Sequence, residues 1–258
     1  MNIVVCMKQV PDTAVERTLT GEGTLDRASL DGLINELDEY AIEEGLKIAE
    51  AHGGEVTILS MGPGKAADSI RKALSMGANK AVHVLDDGLA GSDALATSAA
   101  LAAALQQVGF DLVILGSEST DARTGVVPAM LAERLGVPQL TLASKVEVDG
   151  SSVTIRRVTD DGYEVVTGSL PAVVSVVEKI NEPRYPTFKG IMAAKKKPVQ
   201  VLALAELGVP AGEVGLEHAA TWVDDFAARP PRSAGVIVKD DGDGGTKAAG
   251  FLAERKFI

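Results

Sequence analysis

The sequence predicts an α/β protein built on a doubly wound, mostly parallel sheet. Three observations carry that expectation. Short apolar runs alternate with amphipathic or Ala-rich stretches from residue 2 to about residue 136, joined by brief connectors. Hydrophobic residues make up 46% of the chain while aromatics make up only 3%, so the core must be built from Ala, Val, Leu and Ile, as in a sheet covered by helices on both faces. The 258 residues are enough for one large domain, or one domain with an arm.

NIVVC at residues 2–6 is a short run rich in β-branched residues and reads as a buried first strand. The stretch VPDTAVERTLTGEGTLDRASL that follows reads as a polar, turn-rich surface excursion. Asn35 then precedes a helical pattern, with Leu37, Tyr40, Ala41, Ile48 and Ala49 broadly on one face, stopped by Gly53-Gly54. VTILSMG is a strand, Gly62-Pro63-Gly64 a turn and AADSIRKALSMG a helix. AVHVL is the next strand, SDALATSAALAAALQQVG an Ala-rich helix, and DLVILG a buried strand ending at Gly116. A polar loop, GSESTDARTG, leads into a short helix, VVPAMLAERLG, where Pro128 is tolerable only in the first turn. This is a Rossmann-like pattern, in which ligands lie beyond the carboxyl ends of the strands near a switch in strand order. The loops after NIVVC, VTILS and DLVILG are therefore the ones to watch.

The rhythm changes after residue 138. Alternating segments with turns at Asp149-Gly150 and Asp161-Gly162 predict a β excursion, after which PAVVSVV returns to a buried strand. NEPRYPTFKGIMAAKKKPV carries two prolines, a short helical patch and three consecutive lysines. Periodicity weakens near residue 200, RPPRSAG and KDDGDGGTK have loop composition, and AAGFLAERKFI could close the chain as a helix. The expected organisation is thus a nucleotide-binding α/β domain over residues 1–199 and a C-terminal arm over residues 200–258.

The formal net charge of −11 argues against nucleic acid and anionic membranes as main partners. A single cysteine, Cys6, excludes an internal disulfide and fits a reducing, cytoplasmic compartment. The N-terminus lacks the basic and apolar regions of a signal peptide, and no apolar run approaches the ~20 residues that cross a bilayer. His52, His83 and His218 are scattered, so a metal site is not expected, and no Gly-x-Ser-x-Gly nucleophile elbow is present.

Residues 116–127 form the most informative loop, because it follows a buried strand and opens a helix. Backbone N–H groups at such a helix start favour a phosphate. Thr124 could add a hydroxyl donor while capping the helix, and Asp121 could orient the loop or bind a ribose hydroxyl. The competing reading is a solvated connector that matches no standard phosphate fingerprint. Asn35 and Asp38 could recognise an adenosine or could cap their helix. Lys195-Lys196-Lys197 could meet an anionic group or be a solvated charge run. Pro183 and Pro186 stiffen a loop that holds Tyr185 and Phe188, which are either interface anchors or rings folded onto the core.

Several long motifs, in order, resemble the β (small) subunits of electron transfer flavoproteins. NIVVCMKQVPDT resembles that family's first strand and loop, and IRKALSMGANKAVHV a later helix and strand. IRRVTDDGYEVVTGSLPAVVS at 155–175 resembles its signature block, and NEPRYPTFKGIMAAKKK its recognition loop. The resemblance runs from residue 2 to about 210. It implies an obligate heterodimer whose α subunit holds most of the FAD site, with AMP bound structurally in this chain and no catalytic residues here. It implies electrons arriving from acyl-CoA and related dehydrogenases, as in fatty acid oxidation, and leaving to a membrane quinone oxidoreductase.

The family's nucleotide contacts fall here on Cys6, Asn35, Asp38 and Met61, and in the loop on Gly116, Asp121, Arg123, Thr124, Gly125, Val126 and Val127. Val126 stands where many members have Gln and Arg123 where many have an acidic residue, to which backbone donors would be insensitive. The partner-facing segment falls on Glu182, Pro183, Arg184, Tyr185 and Phe188, with Phe188 where the family usually has Leu. An acidic residue that steers the flavin domain in some members aligns near Val158 or Thr159, neither of which is acidic. Within the family, the alternative is an electron-bifurcating β subunit with a second FAD in place of AMP. Outside it, the fold could host an ATP-using enzyme, although no Walker-type lysine loop is present.

Overall fold

A computed structural model describes residues 1–227, 230–232 and 234–258. The chain divides into two compact units, Met1–Asp224 and Asp225–Ile258.

The larger unit holds a nine-stranded sheet. In chain order its elements begin with β1 (Asn2–Cys6), β2 (Gln9–Pro11), β3 (Gly32–Ile34), α1 (Glu36–His52), β4 (Glu55–Met61), α2 (Ala66–Met76) and β5 (Lys80–Val84). Then come α3 (Ala94–Val108), β6 (Leu112–Gly116), α4 (Val127–Leu135), β7 (Gln139–Asp149), β8 (Ser152–Thr159), β9 (Gly162–Ser169) and β10 (Ala172–Val176). The unit continues through α5 (Phe188–Ala194), β11 (Val199–Leu202) and α6 (Leu204–Leu207). The strand order is β11-β5-β4-β1-β6-β10-β7-β8-β9. Pairing is parallel from β11 through to β7 and antiparallel for β7 with β8 and β8 with β9. This is the expected doubly wound α/β architecture with its β excursion.

Alternation along the central strands sorts the core into two layers. Ile3 and Val5 of β1 face a layer shared with Ile42 and Leu46 of α1 and Ile70 and Leu74 of α2. Val4 and Cys6 face the opposite layer, with Ala100 and Leu105 of α3 and Leu131 of α4. Each fully buried aliphatic side chain contributes roughly 1.5–3 kcal/mol, so the many small strand residues together hold the sheet between its helices. The chain winds from β1 outward through β4 and β5, then returns to β6 on the other flank of β1. The switch in strand order therefore lies between β1 and β6, and the crevice beyond their carboxyl ends is where this topology binds ligands.

Two regions differ from the sequence expectation. The first excursion is not wholly irregular, because β2 and β3 close it as an antiparallel pair. At the expected domain boundary, Val199–Leu202 forms β11 and pairs with β5 over Val199↔Ala81 to Leu202↔Val84. The four-residue VQVL is too short to show a period, and Gln200 and Val201 point outward from this edge strand. The second unit contains one helix among its described residues, α7 (Gly244–Glu254), where the closing helix was expected. Asp240 accepts from Gly242 N and Gly244 N at 2.9 and 2.8 Å just before it. Val236, Ile237, Val238, Phe251, Phe257 and Ile258 of this unit are exposed.

Candidate functional site

Asp38 joins the two strands that define the switch point. It lies in the first turn of α1, and its carboxylate accepts from Lys8 N (2.8 Å) beyond β1 and Gly116 N (3.0 Å) at the end of β6. A Cβ at Gly116 would come within 2.7 Å of both Asp38 Oδ1 and Leu37 Cβ, so only glycine permits this approach. Asn35 ties down the next stretch of the loop. Its Nδ2 donates to Glu118 O (2.9 Å), and its Oδ1 accepts from Thr120 N (3.0 Å). Asn35 is the residue before α1, yet its side chain makes no helix-capping bond. The capping role open to Asn35 from the sequence is therefore not the one it plays; its amide is spent on the loop.

A charge cluster surrounds the same loop. Asp121 accepts from Lys8 Nζ at 2.9 Å and from Arg27, and its carboxylate is shielded from solvent. Lys8 Nζ also reaches Ser119 Oγ at 3.4 Å, while Arg17 donates to Thr120 O at 2.6 Å. Burial acts to raise the Asp121 carboxyl, but the charges of Lys8 and Arg27 outweigh it and hold the group well below the usual carboxylate range. Among the described residues Asp38 makes no ion pair, and Lys8 acts on it only as a minor, more distant charge. Burial pushes it up to about 6, against the hydrogen bonds from Lys8 and Gly116 that favour its charged form. Burial, helped by the nearby Asp38 charge, also pushes the Cys6 thiol up, which disfavours the reactive thiolate.

Beyond Asp121 the loop turns through two left-handed residues, Arg123 (φ 51°) and Gly125 (φ 65°). Arg123 N donates to Ser119 O at 2.8 Å, and its guanidinium pairs with Glu118 at 3.2 Å. The residue preceding α4 is Val126, which supplies no side-chain cap, and Pro128 sits in the first turn. Thr124 is exposed and makes no side-chain hydrogen bond among the described residues, so its expected capping role is corrected. Among the described residues, the N–H groups of Thr124, Gly125, Val126 and Val127 donate to no protein acceptor. An uncapped helix start with several unspent donors is a chemical match for a phosphate. Cys6 lies in the core layer lined by α3 and α4, at the carboxyl end of β1, and Met61 at the end of β4 packs against that layer.

The structure thus gathers Asn35, Asp38, Gly116 and Asp121 into one network. Lys8, Arg17 and Arg27 belong to it too, and the sequence reading missed them; Ser119 and Thr120 join it from within the loop already singled out. Lys8 had a signal, since it lies just beyond the first strand. Arg17 and Arg27 had none, because their partners lie 103 and 94 residues further along the chain from an excursion that reads as surface.

The electron transfer flavoprotein domain family model matches residues 22–207. The electron transfer flavoprotein subunit beta of Mycobacterium leprae (strain TN) is 53% identical, over 100% of this chain and 99% of the relative. That of Mycobacterium tuberculosis (strain ATCC 25618 / H37Rv) is 52% identical over the same shares. The chain belongs to the electron transfer flavoprotein β-subunit family. A more distant relative, the acryloyl-CoA reductase electron transfer subunit gamma of Anaerotignum propionicum, is 34% identical over 93% of this chain and 92% of its own length. Membership in the electron transfer flavoprotein family favours electron carriage over the ATP-using reading, and a β subunit implies an α-subunit partner. Among the described residues, no helix is long and apolar enough to cross a membrane.

In this β subunit the segment that resembles the recognition loop stands out from the surface. Tyr185 is 90% and Phe188 81% exposed, so neither ring folds back onto the core of this chain. Ile191 and Met192 of α5 are exposed beside them in sequence. Glu182 is exposed and Pro183 half-buried. Arg184 is occupied within the chain: its guanidinium meets Glu43 at 2.7 and 2.9 Å and Glu50 at 2.6 and 3.2 Å, both on α1. The lysine run is not uniformly solvated. Lys197 Nζ donates to Leu74 O, Gly77 O and Ala78 O at the end of α2, while Lys195 and Lys196 are exposed.

Proposed function

We propose that the chain is the β subunit of a heterodimeric electron transfer flavoprotein that binds AMP structurally and docks its redox partners. On this reading FAD is held mainly by the α subunit and supplies the redox chemistry, while this chain supplies position. Electrons come from acyl-CoA and related dehydrogenases and pass to a membrane quinone oxidoreductase and the respiratory chain, with the protein working in the cytoplasm.

The observation that carries this reading is the end-to-end match to electron transfer flavoprotein β subunits, 52% identical over the whole chain. The switch point fits a small anionic nucleotide. Unspent N–H donors at residues 124–127 would take the phosphate. Cys6 and Met61 would wall the base, and Asn35, Asp38 and Asp121 would hold the loop in shape for it. The exposed Tyr185 and Phe188 would meet the dehydrogenase, and the apolar side chains of residues 225–258 would pack on the α subunit.

Phe188→Ala tests the docking half. An aromatic anchor carries ~2 kcal/mol or more, so the half-saturation for a dehydrogenase should rise some thirtyfold. Assembly, FAD and AMP should be unchanged. Loss of nucleotide or of folding in this variant would contradict the docking role. A second reading puts FAD in place of AMP at the same switch point. The nucleotide content of the purified complex separates the two.

A further inference from the structure

Resting on the proposal that this loop docks a dehydrogenase, we infer that Arg184 and the Arg71–Lys197 pair are positioning residues that hold the exposed apolar patch ready before the partner arrives.

The patch consists of Tyr185, Phe188, Ile191 and Met192. Its own element is too weak to hold it. α5 has seven residues, below the length at which a helix is stable by itself, and Ala194 is its one buried residue. The patch is nevertheless fixed at both ends by polar clamps reaching to two longer helices.

At the leading end, Arg184 donates a fork of hydrogen bonds to Glu43 and another to Glu50, while Arg184 N donates to Glu43 at 3.1 Å. Glu43 is buried, so this carboxylate has little water to fall back on. A planar guanidinium can serve two carboxylates at once, which an ammonium cannot. Asn181 adds a third tie, donating to Tyr40 O at 3.0 Å and Glu44 at 2.9 Å.

At the trailing end the two clamps are reciprocal. Arg71 of α2 donates to Ala194 O (2.7 Å) and Lys197 O (3.2 Å), satisfying carbonyls at the end of α5. Lys197 returns the contact, donating to Leu74 O (2.9 Å), Gly77 O (3.2 Å) and Ala78 O (2.6 Å) at the end of α2. Each helix thus has one of its last carbonyls, and the negative end of its dipole, met by a cation associated with the other. The helices touch closely: a Cβ at Gly190 would lie 2.4 Å from Ser75 O, so glycine is required there. Thr187 caps α5 by accepting from Gly190 N at 3.1 Å. Together these side chains set where Tyr185 and Phe188 stand. A patch ordered in advance loses less freedom on docking.

The test uses the complex purified with its α subunit. Arg184→Gln and Arg71→Gln are compared with the parent and with Phe188→Ala, using an acyl-CoA dehydrogenase reduced by its acyl-CoA as the probe. Trypsin cleavage at Lys189, Lys195 and Lys196 reports opening of the segment without any docking partner. Both clamp variants should be cut faster. Each should raise the half-saturation for the dehydrogenase about 5- to 10-fold while the limiting rate and nucleotide content stay constant. Arg184→Lys should recover only part of the loss. If Arg184→Gln fails to fold because Glu43 is left unpaired, the pair Arg184→Gln with Glu43→Gln takes its place, with the same expected outcome. Unchanged half-saturation in the clamp variants beside a raised one in Phe188→Ala would overturn the inference and leave the docking role standing. Unchanged half-saturation in all of them would overturn the docking role and the inference with it.

Discussion

Replacing Asp38 with Asn should change how the stability of the protein depends on pH. The folded chain pushes this carboxyl up to about 6 from an ordinary value of 3.8. The neutral form is therefore the one the fold favours. Its contribution to stability is fully present below pH about 4 and is lost as the pH rises through about 6. A carboxyl moved from 3.8 to about 6 corresponds to about 3 kcal/mol across that window. Asn removes the titration. It keeps one acceptor but turns an amide N–H₂ toward a backbone donor, either Lys8 N or Gly116 N, at a roughly pH-independent cost of about 1–3 kcal/mol. The offset does not affect the slope. Urea unfolding of the purified complex, at fixed protein concentration and at intervals from pH 4 to 7.5, should show the variant gaining about 3 kcal/mol on the parent as the pH rises. Parallel curves would refute the reasoning, because they would mean that Asp38 is not a desolvated carboxylate at the switch point.

Asp121 should behave in the opposite sense. Its carboxyl is held low by Lys8 and Arg27, so the stability it provides is present above pH about 4 and is lost as the pH falls below that value. Asp121→Asn should therefore flatten the acid limb of the unfolding curve, and an unchanged acid limb would argue against the ion pairs. Thr124→Ala should leave AMP retention after gel filtration nearly unchanged, since the Thr124 side chain is exposed and uncapped. Thr124→Pro should lower retention sharply, because it removes a backbone donor and strains a residue that follows the left-handed Arg123. Equal retention in both would place the phosphate elsewhere.

The fold was legible wherever a segment was long enough to show a period. The alternation of strand and helix up to α4, the turns at Asp149-Gly150 and Asp161-Gly162, and the return to a buried strand at β10 all stand where the pattern put them. β11 was not legible because its four residues lie at an edge with two of them facing out. The site was legible by position but not by chemistry. Asn35 and Asp38 were read as ligand contacts or caps and Asp121 as orienting the loop or meeting a ribose; within the chain, Asn35 and Asp38 bind the loop backbone and Asp121 pairs with Lys8 and Arg27. Side-chain partners such as Arg17 and Arg27 are set by tertiary packing, and nothing local in their excursion announces them. The rings of Tyr185 and Phe188 could have gone either way from composition, and only the structure shows them exposed.

The most direct measurement is the nucleotide content of the complex formed by this chain and its α subunit. Denaturing the purified complex and quantifying what it releases should give one AMP and one FAD per heterodimer, with the isolated chain colourless. Two FAD and no AMP would contradict a structural AMP at the β1/β6 switch point and assign that site to a second flavin.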